Sequence, residues 1–127
     1  MGPQKTGITL QYFEPKKKTV VSADVSNYGL GGVLLQEGRP IAFCSKTLND
    51  SERNYAQIEK ECYAAVFACE KFFRYLIGLE SFKLQTDHKP LVPLLNNKPL
   101  DSAPLRIQRL LICMMKYNAI AEYTLGK

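Results

Sequence analysis

Between Ile58 and Leu76 the apolar residues Ile58, Cys62, Ala65, Val66, Cys69, Phe72, Phe73 and Leu76 recur at helical spacing over about five turns. An amphipathic helix of that length needs a sheet or other helices to cover its stripe, and the flanking segments supply both. Asn49, Asp50 and Ser51 offer N-cap side chains near its start, and Gly78 stops it. Upstream, KTVVSADVS (18–26) is a Val-rich strand candidate, and NYGLGG turns the chain into a second, VLLQEG. GRP at 38–40 then turns it into a third, IAFCSKTL, and such tight connections imply an antiparallel meander. Downstream, SFKLQTD (81–87) alternates as a fourth strand, and the prolines of HKPLVPLLNN suit a short, interrupted helix. LRIQRLLICMMKY (105–117) is a further amphipathic helix, and NAIAEYTLGK ends the chain as a fifth strand. The expected order is βββαβααβ, an α/β sandwich with a mixed five-stranded sheet. EPKKK at 14–18 closes a stretch, residues 1–17, read as a tether with a possible cloning remnant at its start.

Composition narrows the class further. With 127 residues, 46% hydrophobic and 23% charged, the chain has material for one core and one domain. The longest apolar run is too short to span a bilayer and the first ten residues lack a signal-peptide block, so a soluble, intracellular chain with no membrane partner is expected. Cysteines 44, 62, 69 and 113 form no CxxC pair, and with His88 as the one histidine a zinc site has no ligand set. The net charge of +5 suits a polyanionic partner without demanding one.

Three acids stand where acids are locally out of place. Asp24 lies in the apolar first strand, Glu61 falls roughly 20° outside the apolar stripe of the long helix, and Asp87 ends the fourth strand. Carboxylates of this kind suit hard divalent cations. Each also has an ordinary explanation. Asp24 can cap a turn with Ser26 or Asn27, Glu59 competes with Glu61 at the opposite edge of the stripe, and Asp87 can N-cap the following helix. Spacing alone leaves these alternatives open.

From Ile8 to Lys127 the chain resembles the RNase H domain of gypsy-type LTR retrotransposon reverse transcriptases. The resemblance is carried in order by DVSNYGLGGVLLQ (24–36), PIAFCSKTL (40–48), ERNYAQIEKE (52–61), AVFACEKFFRYL (65–76), TDHKPL (86–91), PLRIQR (104–109) and YTLGK (123–127). It implies a ribonuclease H-like fold and hydrolysis of the RNA strand of RNA/DNA hybrids. It also implies Asp24, Glu61 and Asp87 as catalytic, metal-binding acids for two Mg2+ or Mn2+ ions. Polymerase and integrase portions of one Pol polyprotein are the implied partners, and a cytoplasmic or nuclear retroelement particle the implied location. The family pattern continues into a final helix with a fourth acidic ligand, whereas this sequence stops at Lys127, so a truncated domain of reduced activity is expected. A catalytically idle module that binds nucleic acid or a protein partner is the alternative. So is a structural tether between polyprotein parts.

Other residues carry smaller expectations. Ser26, Asn27 and Tyr28 follow Asp24 in a turn and are candidates to hydrogen-bond a nucleic-acid backbone, with plain turn chemistry as the alternative. Gly29, Gly31 and Gly32 are expected in a turn or bulge, since no helix follows to make a phosphate cradle. Arg106 and Arg109, with Lys116, are candidate phosphate contacts or a solvated basic face. Tyr55 lies near substrate or packs, and His88 is expected to pack or cap.

Overall fold

The computed structural model describes residues 12–98 and 101–125. Strands β1 (Thr19–Val25), β2 (Gly29–Gln36) and β3 (Arg39–Thr47) form an antiparallel meander. Three helices follow, α1 (Asp50–Arg53), α2 (Gln57–Lys71) and α3 (Phe73–Leu76), and then strand β4 (Phe82–Thr86). Helices α4 (Leu91–Asn97) and α5 (Leu105–Cys113), with a 3-10 turn at Met114–Lys116, lead to β5 (Ala119–Tyr123). The sheet order is β3-β2-β1-β4-β5, with β4 parallel to both β1 and β5, so the expected mixed five-stranded α/β sheet is present. No helix of the described residues is long and apolar enough to cross a membrane.

Several local readings are corrected by physical detail. The second hairpin, between β2 and β3, turns at Glu37 and Gly38, both with positive φ (55° and 74°), one residue before the expected GRP. This is the two-residue geometry that matches strand twist. Pro40 instead sits inside β3 beside a bulge in its pairing with β2, a place where an edge strand tolerates the missing donor. GLGG is strand, not turn. A Cβ on Gly32 would lie 2.8 Å from the Ala68 Cβ of α2, and one on Gly29 would lie 2.5 Å from the Lys46 carbonyl oxygen. The turn before β2 is made by Ser26, whose hydroxyl donates to the Gly29 carbonyl and accepts from the amides of Tyr28 and Gly29.

The long helix is also divided. Asn49 caps the one-turn α1 through a reciprocal pair with Glu52, and α2 starts afresh at Gln57 with Glu59 accepting from the Ala56 amide. Periodicity cannot register such a break, because the apolar stripe begins only at Ile58, beyond it. Gly78, at φ 89°, ends the helical region as expected. Part of the expected tether is anchored: Phe13 packs edge-on against Tyr75 at 5.1 Å, and buried Gln36 bonds both the amide and the carbonyl of Glu14. Residues 1–11 lie outside the described residues.

One buried cluster fills the space between sheet and helices, with Val21, Leu34 and Leu84 from the sheet meeting Cys62, Ala65, Cys69, Phe72, Leu91 and Leu111. Cys62 and Cys69 are buried and all four thiols are free; burial pushes the Cys62 thiol up to about 12. The other sheet face presents Ser22, Asp24, Ser45, Gln85 and Glu122 among half-exposed Val20, Val33 and Leu35. Because the helix side leaves no room at Gly32, Gly32→Ala should lower stability by about 1–3 kcal/mol through overpacking. The midpoint of chemical denaturation measures this, and an unchanged midpoint would mean that α2 moves away without cost.

Candidate active site

The sheet itself determines where β1 and β4 end together. They run parallel from Val20 and Lys83 to Ser22 and Gln85, so the side chains just beyond, on Asp24 and Asp87, open at the same end. Both acids line one cleft of about 230 Å3 with Ser22, Gln85, Thr86 and Thr124. Glu61 reaches that end from α2, close enough that both aspartates act on its ionisation. It is only 8% exposed. Burial pushes its carboxyl above the usual carboxylate range, with Asp87 and Asp24 adding to the rise, while a hydrogen bond from Gln57 (2.8 Å) and the His88 ring oppose it.

The ordinary explanations for these acids fall to other residues. Ser26, not Asp24, closes the turn after β1; among the described residues the Asp24 carboxylate accepts only from the adjacent Val25 amide at 2.9 Å. Asp87 does not cap α4, whose N-cap is Pro90 with no side-chain bond, and Thr86 Oγ1 accepts from the His88 amide instead. Glu59 is occupied by the Ala56 amide and by an ion pair with Arg106 at 3.1 Å. Asp24, Glu61 and Asp87 have no Lys or Arg within ion-pair distance among the described residues.

The chemistry of this donor set fits a hard cation. No group of three or more acids, histidines or cysteines among the described residues is gathered tightly enough to surround one ion. One or two carboxylates plus waters remain the usual coordination of magnesium.

The other expected contacts divide into two places. Ser26 and Tyr28 line a groove that meets the acid cleft at Asp24, which borders both. Asn27 is exposed in the same turn. Tyr55, Arg106 and Arg109 instead form a separate hollow of about 310 Å3 with Glu52, Tyr63 and Leu110. There Arg106 is committed, stacked 4.0 Å over the Tyr55 ring and paired with Glu59, so neither it nor the covered ring face is free. Arg109 is exposed and makes no ion pair among the described residues. Lys116 belongs elsewhere, paired with Glu70 at 3.0 Å. Sequence reading missed Gln57, which one helical turn before Glu61 would have exposed, and Thr124, which only the β4–β5 pairing reveals.

Comparison with known proteins gives the chain a family and its fold relatives. Residues 14–117 match the RNase H-like domain found in reverse transcriptase. The chain belongs to that family. Among curated relatives, the retrovirus-related Pol polyprotein from transposon 297 of Drosophila melanogaster is 42% identical over 118 residues, covering 93% of this chain and 11% of the polyprotein. That from transposon gypsy of the same organism is 36% identical over 120 residues, covering 94% of this chain and 11% of its own length. This RNase H-like domain therefore spans about a tenth of the relatives it matches. The crystal structure of LC11-RNase H1 in complex with an RNA/DNA hybrid superposes with a TM-score of 0.63 at 16% identity, covering 85% of this chain and 86% of that one. The gypsy-type resemblance and the ribonuclease H-like fold both hold.

Glu61 gives the site a pH signature. Its folded-state value is raised, so between the unfolded carboxylate value and the folded one the folded chain binds more protons. Stability contributed below that window is then lost as pH rises through it. Glu61→Gln keeps the bond from Gln57 and removes the buried charge. Without divalent ions it should be more stable than the parent at pH 7 and no more stable at pH 4. Denaturant midpoints at the two pH values test this, and an equal difference at both would rule out the buried charge as the cause.

Proposed function

We propose that this domain hydrolyses the RNA strand of RNA/DNA hybrids, at the cleft lined by Asp24 and Asp87 and approached by Glu61. The observation that carries the reading is that Asp24 and Asp87 line one cleft while Glu61 of α2 lies near enough to feel both charges, with no Lys or Arg ion-paired to any of the three among the described residues, in a chain of the reverse-transcriptase RNase H family. Such a cluster repels itself when ionised and is relieved by a cation. Asp24, Glu61 and Asp87 would hold Mg2+ or Mn2+, two ions being the number the resemblance implies. Bound there, the ions supply Lewis acidity toward a scissile phosphate and an attacking water.

The chain's own groups prepare that chemistry. Gln57 helps to fix the orientation of Glu61 by donating to Oε2, while Oε1 takes no hydrogen bond from the described residues. Asp24 and Asp87, exposed on the two strand ends, remain open to solvent and to substrate. Thr86 holds the backbone at His88 and so fixes the turn that carries Asp87. RNA is distinguished from DNA by its 2′-hydroxyls and by the A-like groove of the hybrid, and phosphate contacts such as Arg109 add affinity without sequence choice. In a longer polyprotein the domain would work beside polymerase and integrase portions, within an intracellular retroelement particle, as the Pol polyprotein relatives suggest.

Asp24→Asn separates this reading from an idle binding module. Hybrid affinity should survive, while magnesium-dependent cleavage falls by about a hundredfold or more, the equivalent of several kcal/mol of lost stabilisation. Magnesium should raise the melting temperature of the parent but not of the variant. A parent chain that binds hybrid without cleaving it, with no response to divalent ions, favours the idle module. Arg109→Ala should weaken hybrids of different sequence alike and reduce the salt dependence of binding by about one phosphate contact, read from affinities across a salt series.

A further inference from the structure

Five glycines lie among the described residues, and four have a reason in the fold. Gly38 and Gly78 adopt positive φ, while Gly29 and Gly32 have no room for a side chain. Gly31 has neither reason. Its φ is not positive, and a Cβ built on it meets only the Cys44 carbonyl oxygen, at an ordinary 3.7 Å. Glycine inside a strand gives up packing and costs chain entropy, so one that the fold does not require often marks a place where another chain or a ligand comes close.

The surroundings of Gly31 say what comes close. It pairs with Asp24 on one side and Ser45 on the other, so all three face the sheet side away from α2. Two strand spacings separate Asp24 from Ser45, about 10 Å, with no side chain standing between them. The gap is the floor of a groove of about 380 Å3, which Thr47 and Tyr28 also line. The Ser45 and Thr47 hydroxyls make no hydrogen bonds to other described residues, and Tyr28 is 70% exposed at the rim. Asp24 borders both this groove and the acid cleft, so a strand lying in one continues into the other.

We propose that residue 31 is glycine so that the sugar–phosphate backbone of a bound nucleic-acid strand can lie against the sheet between Asp24 and Ser45. The hydroxyls of Ser45 and Thr47 face its ribose and phosphate oxygens. This rests on the reading above, in which the cleft acts on an RNA/DNA hybrid, and adds the path by which the strand reaches it. The chain's net charge of +5 favours a polyanionic strand over a neutral or basic peptide as the occupant.

The test compares Gly31→Ala and Gly31→Val with the parent, each in the full chain carrying Asp87→Asn so that hybrid is not consumed. Melting temperature and the dissociation constant for a labelled RNA/DNA hybrid are measured together. Both variants should melt at or above the parent, while hybrid affinity falls about tenfold for Val and less for Ala. Gly31→Val binding as tightly as the parent would overturn the inference and leave the proposed function standing. Gly31→Ala melting well below the parent would overturn it too, by giving the glycine a structural reason. A parent chain that binds no hybrid would remove the proposed function, and this inference with it.

Discussion

The contact between Gly32 of β2 and Ala68 of α2 sets how near the helix comes to the sheet, and the site depends on that distance. With a hydrogen atom in place of a side chain on one element and a methyl on the other, the backbones approach as closely as packing permits. Glu61 lies seven residues before Ala68, about two turns along the same side of the helix. Whatever brings Ala68 onto the sheet therefore brings Glu61 to the ends of β1 and β4. A larger residue at either contact would lift the helix and carry Glu61 away from Asp24 and Asp87 while leaving every element intact. The same closeness buries the Glu61 carboxyl and pushes its pKa up, so one contact accounts for both the placement and the electrostatic strain.

The sequence made much of this legible, and the exceptions share a cause. Strand alternation and the helical stripe are properties of single segments, and the five strands, α2 and α5 follow them closely. The acids in β1 and at the end of β4 were visible because they break a local pattern. What remained hidden depends on two segments at once. Gly29 and Gly32 read as a turn because the carbonyl and the helix that exclude their side chains lie 17 and 36 residues away in the chain. Arg106 read as a phosphate ligand because nothing nearby in the sequence announces that Glu59 and Tyr55 would claim it. Glu59, an even alternative to Glu61 by the wheel, is held by that same Arg106.

The division of charges is informative in the same way. Lys46, Lys83, Arg106 and Lys116 each stand against a carboxylate of another element, so part of the chain's basic content is used in holding elements together. Pairs of this exposed kind contribute little individually, but they remove both partners from the set available to a ligand. In a chain with a net charge of +5, cations are in excess, yet none of them stands within ion-pair distance of Asp24, Glu61 or Asp87 among the described residues. Instead the cluster is left to repel itself, with one member buried. A lysine ammonium would relieve the repulsion permanently and occupy the space. A mobile divalent ion relieves it with twice the charge, gives the space back when it leaves, and keeps coordination positions for phosphate oxygen and water. The acids that no cation of the chain claims thus stand apart from the better-paired basic residues, and the buried Glu61 carboxyl is the member whose charge the fold disfavours.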